Sequence, residues 1–451
     1  MAKIKDVNML EGPVFGSIIS YTVPIILTNV LQLCFNAADL IVVGRFCGSL
    51  SVAAVGATAS LIHLIVNLFI GLSIGCGISA AQSIGAGNKE KISQIVHTAL
   101  PVSMLIGAFL SVVGFFGSGL FLQLMGTPEK VLPLSAIYLK IYFIGIFAAM
   151  IYNFCSAILR AAGDTRSPLI FLSIAGVVNV VLNLIFVILF KMDVAGVALA
   201  TTISQFLSAI LSVCALASRK DNCRLYLRKI KIYKKPALEF IRIGVPAGIQ
   251  SSMFSLSNVI IQSSVNSLGE IVVSGNSAAM NIENFVYTAM NAFHQTALNF
   301  TGQNVGIKNY SRAKKVFKIC LLCGSLTGAI LGGVCYIFGE ELLGVYITDS
   351  PEAITIGMTR LTIICLSYLI CGAMDVTTGA IRGMGVSLQP MIITILGVCG
   401  VRILWVFTVF NIPMFHSVAG LYTSYPISWT LTFIAELITY YAVMRKKQNQ
   451  L

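Results

Sequence analysis

Long apolar stretches separated by short polar connectors dominate the sequence. A run of about 20 apolar residues is the length that an α-helix needs to cross a bilayer. The pattern predicts twelve such spans, at residues 14–44, 51–82, 95–121, 134–158, 168–190, 195–217, 238–266, 271–301, 316–339, 357–381, 390–411 and 418–443. Several runs exceed the minimum length, so we expect tilted or kinked helices.

Composition supports the same class of protein. The chain has 451 residues, of which 57% are hydrophobic and 10% charged, whereas soluble domains carry about 25% charged residues. So few charges would not cover the surface of a soluble protein of this size, so we predict an all-α integral membrane protein. The first ten residues lack the apolar core of a signal peptide, and we expect none.

Basic residues are concentrated on alternate connectors. The N-terminus, the segment 219–235 and the tail 445–447 are basic, whereas the intervening connectors carry little positive charge. By the positive-inside rule both termini are cytoplasmic. The net charge of +13 therefore reflects topology, and we interpret 219–236 as a lipid-facing linker with no role in nucleic-acid binding.

The two halves of the chain repeat one another. Pro24 and Pro246 open corresponding spans, QSIGAGNKEK (82–91) matches QNVGIKNYSR (303–312), and AILRAAGDTRSP (157–168) matches GAIRGMGVSLQP (379–390). Six spans per half is an even number, so the repeats are parallel and related by a pseudo-two-fold axis along the membrane normal.

This duplication predicts two six-helix lobes. They comprise residues 1–218 and 237–451, joined by the basic cytoplasmic linker 219–236. Paired lobes are typical of transporters that alternate access by moving one lobe against the other. A channel or a receptor rarely needs such a repeat.

Asp39 is an acid within the first span, where a carboxylate is costly and needs a reason. Asn36 precedes it on a polar stripe, the fifth span offers Asn179 and Asn183 four residues apart, and the sixth offers Thr201. These oxygens suit a proton or Na⁺, and burial disfavours the charged carboxylate. We predict a cation-coupling site, against the alternative of an aspartate that is fixed for helix packing.

A second polar region runs along the seventh, eighth and tenth spans. Its polar residues recur at helical spacing, which indicates an aqueous, cation-tolerant cleft or, alternatively, interhelical polar contacts. The predicted cleft residues are Asn258, Gln262, Asn281, Glu283, Asn284, Tyr287 and Asp375. We interpret His294 as a packing histidine, and Glu436 and Arg402 as pairing groups at interfaces, with Glu436 near the cytoplasmic end.

Enzyme signatures are missing from the sequence. It has no P-loop and no HExxH. The 12 cysteines lie mostly in apolar segments and read as small buried hydrophobes. We therefore predict a protein that is not an enzyme, with no cofactor and no metal beyond a possible Na⁺ at Asp39.

Together, the motifs resemble the multidrug and toxic compound extrusion (MATE) family of bacterial antiporters. The resemblance rests on PIILTNVLQLCFNAADLIVVGR (24–45), the QSIGAGN and QNVGIKN pair, LRAAGDTRSP with IRGMGVSLQP, and DVAGVALAT (193–201). It covers essentially the whole chain. It implies a V-shaped two-lobe fold, location in the inner membrane, and export of amphiphilic or cationic compounds against inward H⁺ or Na⁺.

The resemblance also implies site residues. The family's N-lobe cation site uses an acid, an Asn and a hydroxyl at the positions of Asp39, Asn179 and Thr201, but Asn183 replaces its second acid. Another branch of the family has a Glu where this chain has Phe254, which argues against that branch's C-lobe site here.

We therefore predict a cation-coupled multidrug antiporter, with Pro24 as a place where the first helix bends. A single acid at the N-lobe site favours H⁺ over Na⁺ as the coupling ion. The expected partners are small organic cations and the lipid bilayer, and we expect a monomer. Two alternatives stay open: a flippase for a lipid-linked sugar, and a membrane receptor or scaffold without transport.

Overall fold

The computed structural model describes residues 6–348 and 350–449, apart from the side chains of residues 60 and 63. Lys3, Lys5 and Asp349, which contribute to the predicted charge pattern, lie outside the described residues. All regular structure within the described ranges is helical, as the apolar runs predict.

Six long helices form the first half. They are α1 (Val14–Phe46), α2 (Ser49–Gly85), α3 (Lys89–Leu124), α4 (Leu132–Ala161), α5 (Arg166–Leu184) and α6 (Asp193–Ser218). A π-helical turn, Ile185–Leu189, extends α5, and the linker that follows α6 contains one short 3₁₀ turn, Leu227–Lys229.

The second half is more broken. Its helices are α7 (Lys234–Ser267), α8 (Glu270–Gly306), α9 (Tyr310–Ile337), α10 (Gly339–Gly344), α11 (Pro351–Leu366), α12 (Tyr368–Gly383), α13 (Leu388–Thr394), α14 (Val401–Phe407), α15 (Val418–Tyr422) and α16 (Ser424–Gln448). A π-helical turn, Ile395–Gly400, joins α13 to α14. The helices α11 and α12 meet at a bend of 46° and together form one predicted span.

The apolar character of the helices separates two of them from the rest. Within the described residues, nine helical stretches are long and apolar enough to cross a membrane, and the bent pair brings the number to ten. The remaining two predicted spans, α7 and α8, are long enough at 34 and 37 residues. Polar positions along both helices lower their hydropathy, which agrees with the predicted polar faces.

The chain forms two compact units whose boundaries differ from the predicted lobes. One unit comprises the segment up to Asn8 together with Val23–Gly248, and the other comprises Met9–Thr22 and Ile249–Leu451. The predicted bounds at residues 218 and 237 therefore differ from these units in two places. The linker and the start of α7 belong to the first unit, and the start of α1 belongs to the second.

Close packing of glycines explains why the start of α7 belongs to the first unit. A Cβ on Gly244 of α7 would lie 2.5 Å from Leu72 Cα and 2.6 Å from the Gly71 carbonyl oxygen of α2. A Cβ on Gly248 would collide with the carbonyl of Leu68. The two helix backbones thus touch, at a distance that only glycine permits.

Contacts within the second unit account for the start of α1. The hydroxyls of Thr22 and Thr296 lie 2.8 Å apart, and the ring of Tyr21 meets Phe300 edge-on at 5.3 Å between centroids. Arg312 donates from Nε to the carbonyl of Met9 at 3.1 Å. The first eight or so residues of α1 therefore pack as part of the C-terminal half.

The basic linker is anchored to α3. The backbone N–H of Tyr226 donates to His97 Nε2 at 3.0 Å, and that of Tyr233 donates to Thr98 Oγ1 at 3.1 Å. Cys223 and Leu225 are buried beside this anchor. The linker therefore packs as part of the first unit.

Candidate ion-coupling site

Side chains of α5 and α6 converge on Asp39 of α1, within the first unit. Asn183 of α5 donates from Nδ2 to Asp39 Oδ1, and Thr201 of α6 donates from Oγ1 to Oδ2 at 3.3 Å. Asn179 donates to Thr201 Oγ1 at 3.2 Å, and its own carbonyl accepts from Asn183 at 3.3 Å. Four of the five residues predicted for the coupling site therefore form one hydrogen-bonded cluster.

The backbone arrangement follows from helical spacing and one small residue. Asn179 and Asn183 are four residues apart and so lie on the same face of α5. A Cβ on Gly176, one turn before Asn179, would collide with the ring of Phe35 of α1. The glycine thus lets α1 approach α5 closely enough for Asp39 to reach both amides.

Neutral donors alone surround the Asp39 carboxylate. Among the described residues, no Lys, Arg or His nitrogen lies within 4.0 Å of it. Asn183 is fully buried, and the oxygen of its side-chain amide, Oδ1, has no hydrogen-bond partner. The site therefore holds a half-buried carboxylate without a protein counter-charge, next to an unused oxygen acceptor. A proton or a small cation would satisfy both.

Asn36 does not join this cluster, so its predicted supporting role is wrong. Its side chain is exposed. Three residues correspond to about 300° around a helix, so Asn36 is rotated by about 60° from Asp39 on α1.

Sequence reasoning missed two tyrosines of α4. Tyr138 and Tyr142 stack with 6.0 Å between ring centroids, and the charge of Asp39 acts on both hydroxyls. Their spacing of four residues was the available signal, because it places both hydroxyls on one helix face.

Four of the seven predicted cleft residues are exposed, and the other three are half-buried or buried. Asn258 of α7 and Asn281, Asn284 and Tyr287 of α8 are exposed, so both helices present an unpacked polar face within their unit. Gln262 is half-buried, and its side-chain oxygen Oε1 accepts a hydrogen bond from Asn276 Nδ2 at 3.1 Å.

Glu283 does not lie on that face, and its assignment to the cleft is wrong. Its two oxygens accept from Nε and Nη2 of Arg360, both at 2.8 Å, and both residues are at most 5% exposed. Arg360 also donates from Nη1 to Asn276 at 2.7 Å and lies 5.0 Å from the ring centroid of Tyr422. This pair has its charges and donors satisfied, so it is a packing element of the second unit.

Asp375 is buried on α12, and its Oδ2 has no hydrogen-bond partner. His294 donates from Nδ1 to the backbone carbonyl of Asp375 at 2.7 Å, as expected of a packing histidine.

Glu436 and Arg402 are also buried, and within the described residues neither takes part in an ion pair. Glu436 accepts hydrogen bonds from Thr378 and Thr394. The guanidinium of Arg402 stacks on Tyr425 at 3.8 Å from the ring centroid.

Comparison with known proteins matches this chain twice to one family. The MatE family profile matches residues 24–185 and again residues 246–408. The chain belongs to the MatE family. The two matches begin at Pro24 and Pro246 and so follow the internal repeat seen in the sequence.

Relatives of this MATE protein are bacterial transporters. A probable multidrug resistance protein, YoeA of Bacillus subtilis, is 28% identical over 442 residues, which cover 96% of this chain and 95% of the relative. An FAD transporter of Shewanella oneidensis is 23% identical over 346 residues, covering 76% of each chain. The protein is thus a multi-pass transporter of a multidrug efflux family and not an enzyme.

Solved structures confirm the fold. An outward-facing multidrug resistance MATE family transporter of the MOP superfamily aligns with a TM-score of 0.92 at 19% identity over 100% of both chains. The all-α fold with twelve spanning helices in two lobes is therefore that of this chain.

Proposed function

We propose that this MATE protein is a cation-coupled antiporter that exports cationic or amphiphilic organic compounds by alternating access. The observation that carries the proposal is the Asp39 carboxylate, to which α5 and α6 supply neutral donors and which has no counter-charge among the described residues. An uncompensated charge within a membrane helix is costly, and such residues mark ion pathways.

Ion exchange at Asp39 follows from its partners. Hydrogen bonds from Asn183 and Thr201 stabilise the charged carboxylate, whereas a proton removes the charge and with it the cost of burial. The two states therefore favour different surroundings, which is the requirement for an ion to shift a conformational equilibrium. A single acid suffices to carry a proton, which favours H⁺ as the coupling ion and leaves Na⁺ as the second candidate.

Pro24 is the proposed hinge. It lies inside α1, next to the boundary at Thr22 and Val23 between the parts of that helix that belong to different units. Proline removes one backbone hydrogen bond from a helix and so eases bending. A bend at this point would move the segment that carries Asp39 relative to the start of the helix.

The substrate-binding surface that we propose is the exposed polar face of α7 and α8. Asn258, Asn281, Asn284 and Tyr287 offer amide and phenol groups to a polar compound. Because Glu283 is paired with Arg360, the preference for cations at the substrate-binding surface rests on Asp375. We further propose a monomer in the inner membrane with both termini in the cytoplasm, which is the orientation that the basic connectors favour.

Transport by the purified protein in vesicles tests this function. Movement of a cationic dye is measured under a proton gradient alone, under a sodium gradient alone and without either. We expect dye movement that requires the proton gradient. Movement of FAD or of a lipid-linked sugar in place of the dye, or movement that ignores both gradients, would contradict the proposal.

A further inference from the structure

A second buried carboxylate, Glu436, lies at the centre of α16, with 12 residues of the helix on either side. The residue is 0% exposed. An ionised carboxylate at such a position costs free energy unless a charge or strong donors compensate it. Its surroundings therefore show which form of the acid the fold accommodates.

Hydroxyl groups are the hydrogen-bond partners of Glu436. Thr378 Oγ1 of α12 lies 2.7 and 2.8 Å from the two carboxyl oxygens, and Thr394 Oγ1 of α13 lies 3.0 Å from Oε1. A threonine hydroxyl either donates to a carboxylate or accepts from a carboxylic acid. Both protonation states of Glu436 are therefore compatible with the same side-chain positions.

No cation among the described residues pairs directly with Glu436. Within the described ranges, none of the ion pairs shorter than 4.0 Å includes Glu436 or Asp375. The charged groups that act on Glu436 are Asp375 and Arg382, both on α12. Of the other buried cations near α16, Arg360 is paired with Glu283, and Arg402 is bonded to Ser428, two turns along the helix.

Charge balance indicates one missing positive charge. Two buried carboxylates, Asp375 and Glu436, face a single guanidinium, that of Arg382. Asp375 Oδ2 and Arg382 Nε both lack hydrogen-bond partners. One proton would neutralise the group.

Gln250 connects this group to α7. It accepts from Arg382 Nη2 at 2.7 Å and donates from Nε2 to Thr394 Oγ1 at 3.0 Å. Thr394 in turn donates to Glu436. Gln250 is four residues after Pro246, just beyond the point where α7 passes from one unit to the other. A shift of α7 would remove a donor from Thr394 and an acceptor from Arg382, and so change the environment of Glu436.

We propose that Glu436 is a second proton-binding site, in the C-terminal unit, which takes up and releases a proton as α7 moves. The proton goes to and from water, and no other bond changes. The presence of the proton on Glu436 does not depend on the proposed antiport, whereas its release during the cycle does.

Infrared difference spectroscopy of the full chain in lipid, during a pH change, tests the proton directly. We expect a carboxylic acid C=O band that shifts in D₂O and that Glu436→Gln removes. Asp39→Asn and the surface control Glu340→Gln should retain it. The proposal is overturned if Glu436→Gln removes no band other than the one that Asp39→Asn removes, or if Asp375→Asn removes the band instead.

Two further measurements address the case in which Glu436→Gln does not fold and the case in which the bound ion is not a proton. Thr394→Val keeps the acid but removes one hydroxyl, so it should shift the frequency of the band without abolishing it. An unshifted band would show that the acid lies elsewhere. Addition of Na⁺ at constant pH should leave the band unchanged, and its loss would identify a sodium site instead.

Release during the cycle is measured as the protons that appear in weakly buffered solution when substrate is added. We expect Glu436→Gln to reduce this release without abolishing it, and Asp39→Asn to remove the other part. Equal release by Glu436→Gln and the unaltered protein would overturn the exchange step. If the unaltered protein shows the infrared band but no gradient-driven dye transport, the antiport is refuted and the proton on Glu436 is still established.

Discussion

Glu283 and Arg360 form a two-pronged ion pair inside the C-terminal unit, with both N–O distances at 2.8 Å. They are 77 residues apart in the chain, on α8 and α11. The pair neutralises an acid that the sequence assigned to a substrate cleft. The polar face of α8 that remains exposed therefore carries amides and a phenol.

Replacing Glu283 with Gln should destabilise the protein. It leaves the Arg360 guanidinium buried without its counter-charge, and removal of one partner of a buried pair costs about 3–5 kcal/mol. Thermal unfolding in detergent measures the change, with Glu270→Gln, an exposed acid at the start of the same helix, as the control. A stable Glu283→Gln protein that fails to transport would show instead that Glu283 contacts substrate.

Introducing a second acid at the coupling site should change the ion that drives transport. Asn183→Asp places a carboxylate beside Asp39, within the distance at which Asn183 now donates its hydrogen bond. Two carboxylates hold a Na⁺ ion better than one, so we expect dye transport to gain a dependence on the sodium gradient.

Transport in vesicles with separate sodium and proton gradients measures this effect. Asn449→Asp, at an exposed position just after the end of α16, is the control for added charge. An unchanged ion dependence in Asn183→Asp would contradict the placement of the coupling ion between these two residues.

Gly248→Ala should destabilise the first unit, because the added methyl group would collide with the backbone of Leu68. Overpacking of this kind costs about 1–3 kcal/mol. Gly333→Ala on α9 is the matched control, since a Cβ there has no atom within 4 Å. Equal unfolding temperatures for the two variants would refute the close contact between α2 and α7.

Loss of the His97 anchor should loosen the basic linker. His97→Ala removes the acceptor for the N–H of Tyr226, so we expect faster cleavage by trypsin at the basic residues of 219–235. Limited proteolysis measures the rate, and His416→Ala, away from the linker, is the control. Cleavage at the same rate in both variants would show that other contacts hold the linker.

Sequence patterns predicted the architecture and most of the coupling site. Apolar run length determines the helices, and an acid in an apolar helix is so costly that Asp39 stood out, with Asn179 and Asn183 marked by their spacing. Asn36 was misplaced because a polar stripe on one helix does not show which neighbouring helix it faces.

Other features depended on contacts between distant residues. Nothing local to Glu283 indicates Arg360, and nothing near Glu436 indicates the threonines of α12 and α13. The boundaries of the two units depend on glycine contacts between α2 and α7, which helical periodicity does not reveal.

Replacement of Asp39 by Asn, measured as gradient-driven efflux of a cationic dye alongside dye binding, tests whether Asp39 couples ion movement to export. Asparagine keeps the size of the side chain but does not gain or lose a proton. With Glu129→Gln in an exposed connector as the control for a lost carboxylate, we predict that Asp39→Asn still binds dye but loses all gradient-dependent efflux. Efflux with an intact dependence on the gradient would contradict the account.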